Sequence, residues 1–261
     1  MRIEPAAAVV GHIGVPGDKS ISHRGVLIGG ICEGETRIEG FGRSADTEST
    51  VNAIRALGVE IVEDDVDVLT VRGVGLRGLQ APAEPIDCGN AGTLLKLLMG
   101  LLAGQEGEFV LSGDESLRGR PVEDLADALR TMGARIETTD GKPPVHIVGS
   151  GLRAAEHRLE RASAQTKSAL LLAGMQAEGG RTVVHEPYFT RDHTETMLRA
   201  AGAPVRRSGR SVSVSPVESL RLDAVQVPGD ISSAAPFLAA STLVPGSELS
   251  IHGVGVNPFR A

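Results

Sequence analysis

Aromatic residues are scarce in this chain. They make up 2% of its 261 residues, with no tryptophan and one tyrosine, so stacking platforms for single-stranded nucleic acid are not expected. The formal net charge is -7, which removes the basic surface that duplex binding requires. The sequence therefore predicts an aliphatic core and no nucleic-acid partner.

Cysteines, lysines and long apolar runs are also few. Cys32 and Cys88 are too few for a disulfide framework and favour a reducing, cytoplasmic environment. No apolar run is long enough to span a membrane, and the first residues lack a signal-peptide pattern, so no membrane partner is expected. The seven histidines show no metal-ligand spacing, so no metal is expected either. The scarce lysines each merit inspection: Lys19, Lys96, Lys142 and Lys167.

What the chain does contain is an internal repeat. Gly34, Gly107 and Gly180, spaced 73 residues apart, each open a strand-like segment that an arginine-bearing loop and an amphipathic helix pattern follow. A period of this length indicates a repeated supersecondary unit. Nearly apolar helices are predicted at 21–31, 93–103 and 168–175, and strand pairs at 59–62 with 66–71, 135–138 with 145–148 and 205–207 with 211–214. We therefore expect an α/β domain of three β-α-β-α-β-β units.

A fourth copy of the pattern begins near residue 228. Pro228-Gly229-Asp230 repeats the opening loop, 234–243 repeats the apolar helix and 246–251 repeats the strand. Because such a unit cannot bury its apolar face alone, we expect the chain to be a piece of a longer protein. On this interpretation, residues 13–225 form a complete three-repeat domain. Residues 1–12 and 226–261 belong to the start of a second, similar domain.

Small residues precede the three apolar helices, in loops 17–20, 89–93 and 163–166. Free N–H groups and the dipole at a helix N-terminus bind anions, and Gly or Ser lets an anion approach closely. In any one loop, simple helix capping is the commoner explanation. The recurrence of three such loops favours a ligand with several anionic groups.

Arginines occupy corresponding turns before the second helix of each unit. They are Arg43, Arg120 and Arg191. A guanidinium there can bind a phosphate or carboxylate through two hydrogen bonds, although a lone loop arginine is more often a solvated charge. Their repetition favours anion binding.

Other local patterns favour simpler roles. Pro16-Gly17-Asp18-Lys19-Ser20 lacks the glycine spacing of a nucleotide P-loop, so ATP or GTP binding is rejected. His23 and His193 are expected to pack or to orient neighbours rather than to catalyse. Cys88 is expected to be a buried, inert thiol.

Taken together, these loops resemble the 5-enolpyruvylshikimate-3-phosphate synthase family. The matching segments run in order along the chain: 16–24, 89–93, 120–121, 163–169, 190–195, 228–230 and 257–260. The resemblance implies the inside-out repeat fold of enolpyruvyl transferases, in two similar domains with the active site between them. It also implies transfer of the enolpyruvyl group of phosphoenolpyruvate to the 5-hydroxyl of shikimate 3-phosphate, without metal or organic cofactor. The chain would cover roughly the first three fifths of such a protein, lacking the C-terminal domain.

The resemblance also implies roles for individual residues. Lys19, as the catalytic residue, and Arg120 would hold phosphoenolpyruvate. The shikimate 3-phosphate site would comprise Ser20, Arg24, Ser163, Ala164, Gln165 and Arg191, with Gln165 touching both substrates. Gly92 would leave room for the inhibitor glyphosate. Lys96 stands where the family usually has arginine, which keeps the charge and loses a forked donor.

The resemblance places the family's catalytic carboxylates in the domain that this chain lacks, so little or no turnover is expected from the chain alone. Two alternatives remain. One is a related enolpyruvyl transferase acting on UDP-N-acetylglucosamine, whose usual signatures, an asparagine-containing lysine loop and a loop cysteine, are missing here. The other is a non-catalytic binding module.

Overall fold

A computed structural model describes residues 7–259 of the chain. Residues 1–6 of the predicted second-domain fragment, and Arg260 of the C-terminal motif, lie outside the described residues. The first unit follows strand β1 (Val10–Gly14) and consists of α1 (Lys19–Gly30), β2 (Glu33–Glu39), α2 (Ala45–Ala56), β3 (Glu60–Asp65) and β4 (Val68–Val74).

The second and third units repeat this order. The second has β5 (Ile86–Asp87), α3 (Gly92–Leu102), β6 (Glu108–Ser112), a short α4 (Glu115–Arg118), α5 (Glu123–Thr131), β7 (Arg135–Thr139) and β8 (Lys142–Val148). The third has β9 (Glu156–Arg158), α6 (Ala164–Gly174), β10 (Thr182–His185), α7 (His193–Ala200), β11 (Val205–Ser208) and β12 (Ser211–Val214). The chain continues through β13 (Ala224–Gln226), α8 (Ile231–Leu243) and β14 (Glu248–His252).

The three units form three four-stranded sheets with one common strand order. The orders are β13-β2-β4-β3, β5-β6-β8-β7 and β9-β10-β12-β11. In each sheet the first pair is parallel and the other two pairs are antiparallel. The predicted β-α-β-α-β-β unit is therefore confirmed. The first unit borrows its opening strand, β13, from beyond the third unit, which the sequence pattern did not reveal.

The apolar helices α1, α3 and α6 lie inside the molecule, as predicted. They contribute to one aliphatic core that draws on all three units, with Ile28, Leu98 and Leu171 among its buried residues. Two of the helices begin earlier than predicted because of their caps. Asp18 accepts a hydrogen bond from the Ile21 N–H at 3.0 Å at the start of α1. Ser163 caps α6 in the same way.

Close contact between α3 and α6 depends on Gly100. A Cβ atom at Gly100 would lie 2.1 Å from the carbonyl oxygen of Ala169 on α6. That distance is far below any real contact, so the two helix backbones approach closely only because residue 100 has no side chain.

Three elements, β1, α8 and β14, lie outside the three four-stranded sheets and their helices. β1 pairs in parallel with β14 in a two-stranded sheet. α8 is rich in apolar residues, yet Phe237, Leu238 and Leu243 are exposed, Leu243 by 80%. The division into a 13–225 domain and a second-domain fragment stays a prediction. Within residues 7–259, no helix is long and apolar enough to cross a membrane.

Substitution of Gly100 by alanine should destabilise the chain by roughly 1–3 kcal/mol, because the added methyl overlaps the Ala169 carbonyl. Gly151 has open space around its Cβ position, so Gly151→Ala is the control and should stay within about 0.5 kcal/mol of wild type. Urea unfolding followed by circular dichroism measures both changes. Equal midpoints for the two variants would contradict close packing at Gly100.

Candidate active site

The N-terminal ends of α1 and α3 border two neighbouring cavities that share Lys19 and Thr93. The α1 cavity has a volume of about 560 Å³ and is lined in part by Lys19, Ser20, Thr93 and Arg191. The α3 cavity has a volume of about 370 Å³ and is lined in part by Lys19, Gly92, Thr93, Arg120 and Gln165. Lys19 borders both, so its ammonium can interact with a ligand in either one.

Lys19 is the first residue of α1, which follows the capping residue Asp18. Its Nζ atom donates to Asp46 Oδ2 at 2.7 Å, and 48% of the lysine side chain is exposed. An exposed ion pair of this kind contributes about 0–1 kcal/mol. An anionic ligand can therefore compete with Asp46 for the ammonium.

Arg24 is a buried cation held by neutral groups. Its Nε donates to Thr194 Oγ1 at 2.6 Å, Nη1 to the Ser20 carbonyl at 2.8 Å and Nη2 to Ser168 Oγ at 3.2 Å. Burial first, and the nearby Arg191 second, lower the pKa of Arg24 to about 10. Among residues 7–259, no carboxylate lies within ion-pair distance of Arg24.

Arg191 lies beside the same serine. Its Nη1 donates to Ser20 Oγ at 3.1 Å, which joins the α1 turn to the loop before α7. The charge of Arg191 lowers the pKa of Arg24, so an anion between or beside the two guanidinium groups would be favoured. Ser20, Arg24 and Arg191 are thus brought together, as the sequence analysis expects.

The start of α6 supplies the third helix end. Gln165 Nε2 donates to Thr93 Oγ1 at 2.8 Å, which fixes its amide at the α3 cavity. Ser163 instead borders a third cavity, of about 510 Å³, which it shares with Lys96. Ala164 is buried and lines none of these three cavities. The three α6 residues of the predicted site therefore do not line one common cavity.

Arg120 reaches the start of α3. Its Nη2 donates to Asn90 Oδ1 and to Ser116 Oγ. A Cβ atom at Gly92 would lie 3.0 Å from Arg120 Nη1, so a glycine at this position lets the guanidinium lie close to the start of α3. The proposed room for glyphosate stays a prediction.

Lys96 lines both the α3 cavity and the third cavity. Burial lowers the pKa of its ammonium, while Asp124 opposes the shift and Arg120 adds to it. The lysine thus supplies a cation next to Arg120.

Arg43 differs from the other two repeat-related arginines. Its guanidinium pairs with Glu48 at 2.7 Å and Glu63 at 2.8 Å, and hydrogen bonds to these carboxylates raise its pKa. Carboxylates of its own unit thus already pair with this arginine, which also borders the α1 cavity. The repeat spacing could not reveal these partners.

The packing roles predicted for two nucleophile or base candidates are confirmed. His23 is buried with Nδ1 2.6 Å from Thr50 Oγ1, and burial, followed by Arg24, lowers its pKa to about 3. Burial raises the pKa of the Cys88 thiol to about 12. Neither group is charged at neutral pH. Sequence reasoning missed a buried cluster around Lys167, whose only signal was a lysine inside an apolar helix.

Comparison with known proteins identifies the family of the chain over almost its whole length. A sequence model of the family described as EPSP synthase (3-phosphoshikimate 1-carboxyvinyltransferase) matches residues 3–261. The chain belongs to the EPSP synthase family. The family's enolpyruvyl transferase fold is consistent with the three sheets and the buried helices described above.

Similar proteins include two curated members named 3-phosphoshikimate 1-carboxyvinyltransferase. That of Acidithiobacillus ferrooxidans is 48% identical over 258 residues, which is 99% of this chain and 59% of that protein. That of Citrifermentans bemidjiense is 51% identical over 260 residues, or 99% of this chain and 60% of that protein. The solved structure of EPSP synthase from Acinetobacter baumannii matches with a TM-score of 0.90 at 45% identity, covering 96% of this chain and 57% of the other. The chain thus spans about three fifths of the length of the relatives it matches.

Acid should destabilise the wild-type chain partly through His23. Its folded-state pKa of about 3 lies below the ordinary value of 6.5, so the unfolded state binds more protons between these pH values. Stability is therefore lost as the pH falls below 6.5, by up to about 1.4 kcal/mol per pH unit from this residue. His23→Gln should remove that contribution. Urea unfolding of both proteins at pH 4.5–7.5 checks it, and parallel pH curves would contradict it.

Proposed function

We propose that the protein to which this chain belongs transfers the enolpyruvyl group of phosphoenolpyruvate to the 5-hydroxyl of shikimate 3-phosphate and releases phosphate. The observation that carries the proposal is the pair of adjacent cavities joined by Lys19, one bordered by Ser20 and Arg191 and the other by Arg120 and Gln165. Two anionic substrates that must react with each other need such neighbouring cationic sites. The names of the relatives support the same reaction.

The α1 cavity is assigned to shikimate 3-phosphate. Arg191 lines this cavity and donates to Ser20, and the buried Arg24, which does not line it, donates to the Ser20 carbonyl; two guanidinium groups beside one serine suit a ligand with separate phosphate and carboxylate groups. The family resemblance also assigns Ser163 and Ala164 to this ligand; they begin α6 but do not line the α1 cavity, so their part in binding stays a prediction.

The α3 cavity is assigned to phosphoenolpyruvate. Lys19 and Arg120 provide the positive charge, and Gln165 lies on the Thr93 side. The reaction forms a bond between the 5-hydroxyl oxygen and the enol carbon and breaks the bond from that carbon to the phosphate oxygen, and the hydroxyl proton leaves with the released phosphate. Holding both reactants in contact and compensating their charges lowers the activation barrier. The entropic cost of bringing the two substrates together and the cost of removing their water are covered by the free energy of binding.

Part of the catalytic machinery is proposed to lie in the remaining length of the relatives. The groups named above bind and orient anions. In line with the family resemblance, the missing C-terminal domain would supply catalytic carboxylates and close the cleft. The exposed apolar side of α8 is compatible with a further layer covering it. A cytoplasmic location is proposed from the cysteine usage alone.

Replacing Arg191 by alanine should weaken the binding of shikimate 3-phosphate to the chain. Loss of a charge-assisted contact corresponds to about 1.5–3 kcal/mol, or roughly 10- to 150-fold in the dissociation constant. Isothermal titration calorimetry measures it. Arg72→Ala is the matched control, since exposed Arg72 pairs with Glu35 and Glu60 and lines neither cavity, and it should change affinity less than about twofold.

Titration with UDP-N-acetylglucosamine in the same experiment tests the alternative transferase. Preference for the nucleotide sugar would favour that alternative, and no binding of either ligand would favour a non-catalytic module. Equal affinities of wild type and Arg191→Ala for shikimate 3-phosphate would contradict the assignment of the α1 cavity.

The 261-residue chain alone should release no phosphate from phosphoenolpyruvate in the presence of shikimate 3-phosphate. Adding a separately produced remainder, taken from a full-length relative, should restore phosphate release, because the added part completes the cleft. A phosphate-release assay on the chain, the remainder and their mixture decides this. Robust turnover by the chain alone would mean that the groups assigned elsewhere are dispensable.

A further inference from the structure

Four charged side chains form a buried cluster behind Arg191. Lys167 on α6 is fully buried, and its Nζ lies 3.1 Å from Glu186 and 2.7 Å from Glu195. Arg207 donates to the same two carboxylates, at 3.3 Å and 2.8 Å. Two positive and two negative groups balance, so each buried charge has a partner.

The Lys167 ammonium also donates hydrogen bonds to backbone carbonyl groups of the loop before α7. Its Nζ donates to the carbonyl oxygen of Arg191 at 3.2 Å and lies 3.4 Å from that of Thr190. Thr190 in turn donates its hydroxyl to Glu186. Two residues of the loop before α7, Thr190 and Arg191, are therefore anchored to α6 through one side chain.

The same turn of α6 supports the second arginine. Ser168, which follows Lys167, contacts both Arg24 and Thr194 through its hydroxyl, at 3.2 Å and 2.6 Å. Thr194 precedes Glu195, a partner of Lys167. Lys167 thus lies where the supports of Arg24 and Arg191 meet.

Stability alone is a poor reason for this cluster. Buried ion pairs seldom stabilise more than well-packed apolar residues would, because desolvation offsets their attraction. Their directional contacts do fix geometry. Here the geometry that is fixed is the backbone from which the Arg191 guanidinium extends toward Ser20.

We propose that Lys167 is a positioning residue that fixes the Arg191 backbone so that its guanidinium and Arg24 meet one anionic ligand. The identity of that ligand, shikimate 3-phosphate, rests on the proposed function. Lys167 itself is sealed from the cavities and does not touch the ligand.

The test uses a charge-balanced double variant, Lys167→Met with Glu195→Gln, in the 261-residue chain. Lys167→Met alone would leave two buried carboxylates opposite one guanidinium, whereas the pair leaves Glu186 with Arg207 and Thr190. Calorimetry with shikimate 3-phosphate should show roughly tenfold weaker binding, within the range of coupled contacts. Glu195→Gln alone keeps the Lys167 contact to the Arg191 carbonyl and should change affinity less than about twofold.

A double-mutant cycle separates positioning from general stability. In an Arg191→Ala background, adding the two cluster substitutions should weaken binding by no more than about twofold, because they act through Arg191. Full tenfold loss in that background would overturn the proposal. Gln176→Met, which removes buried hydrogen bonds beyond the other end of α6, controls for destabilisation and should leave affinity unchanged.

Amide hydrogen exchange of the ligand-free chain gives a readout that does not depend on the proposed function. The double variant should exchange faster at Thr196, whose N–H donates to the carbonyl of Asp192 at 2.9 Å next to the anchored residues, while the amides of α3 keep their protection. Unchanged exchange at Thr196 would overturn the proposal. If wild type binds no shikimate 3-phosphate but the Thr196 amide still responds, the positioning role stands and the ligand assignment fails.

Discussion

Backbone-close packing of apolar helices is the constraint from which the rest of the structure follows. α3 and α6 approach so closely that Gly100 has no space for a Cβ atom beside the Ala169 carbonyl. The polar side chains of the apolar helices lie in the first two turns, as Arg24, Lys96 and Lys167 do, and the later turns are apolar or glycine. The start of α1 and the start of α3 then border neighbouring cavities.

In this arrangement the apolar residues that build the core are distinct from the polar residues that line the cavities. The apolar positions recur in every unit, while the residues at the helix starts differ: a lysine begins α1, a glycine begins α3 and a serine caps α6. The first donates charge, the second lets Arg120 lie close, and the third orients backbone donors. Under the proposed function, these differences among the three helix starts produce two unlike anion sites.

Much of the frame could be predicted from the sequence because apolar patterns are local. The strand pair 135–138 with 145–148 lies within β7 and β8, and the helix predicted at 93–103 matches α3 within one residue. The predicted start of α6, at residue 168, was less accurate, because Ser163 caps the helix several residues before the apolar run begins. The pairing of β13 with β2 joins residues almost 190 positions apart, and no local pattern encodes it.

The site was predicted less completely, since side-chain partners depend on distant residues. Ser20, Arg24 and Arg191 converge as the motifs suggested, but Arg43 pairs with Glu48 and Glu63, and Lys167 is engaged behind the site. If Arg24 and Arg191 bind one ligand, a crystal structure of the chain with shikimate 3-phosphate will show ligand oxygens within about 3 Å of both guanidinium groups. A ligand bound in the third cavity, with neither arginine in contact, would contradict this prediction.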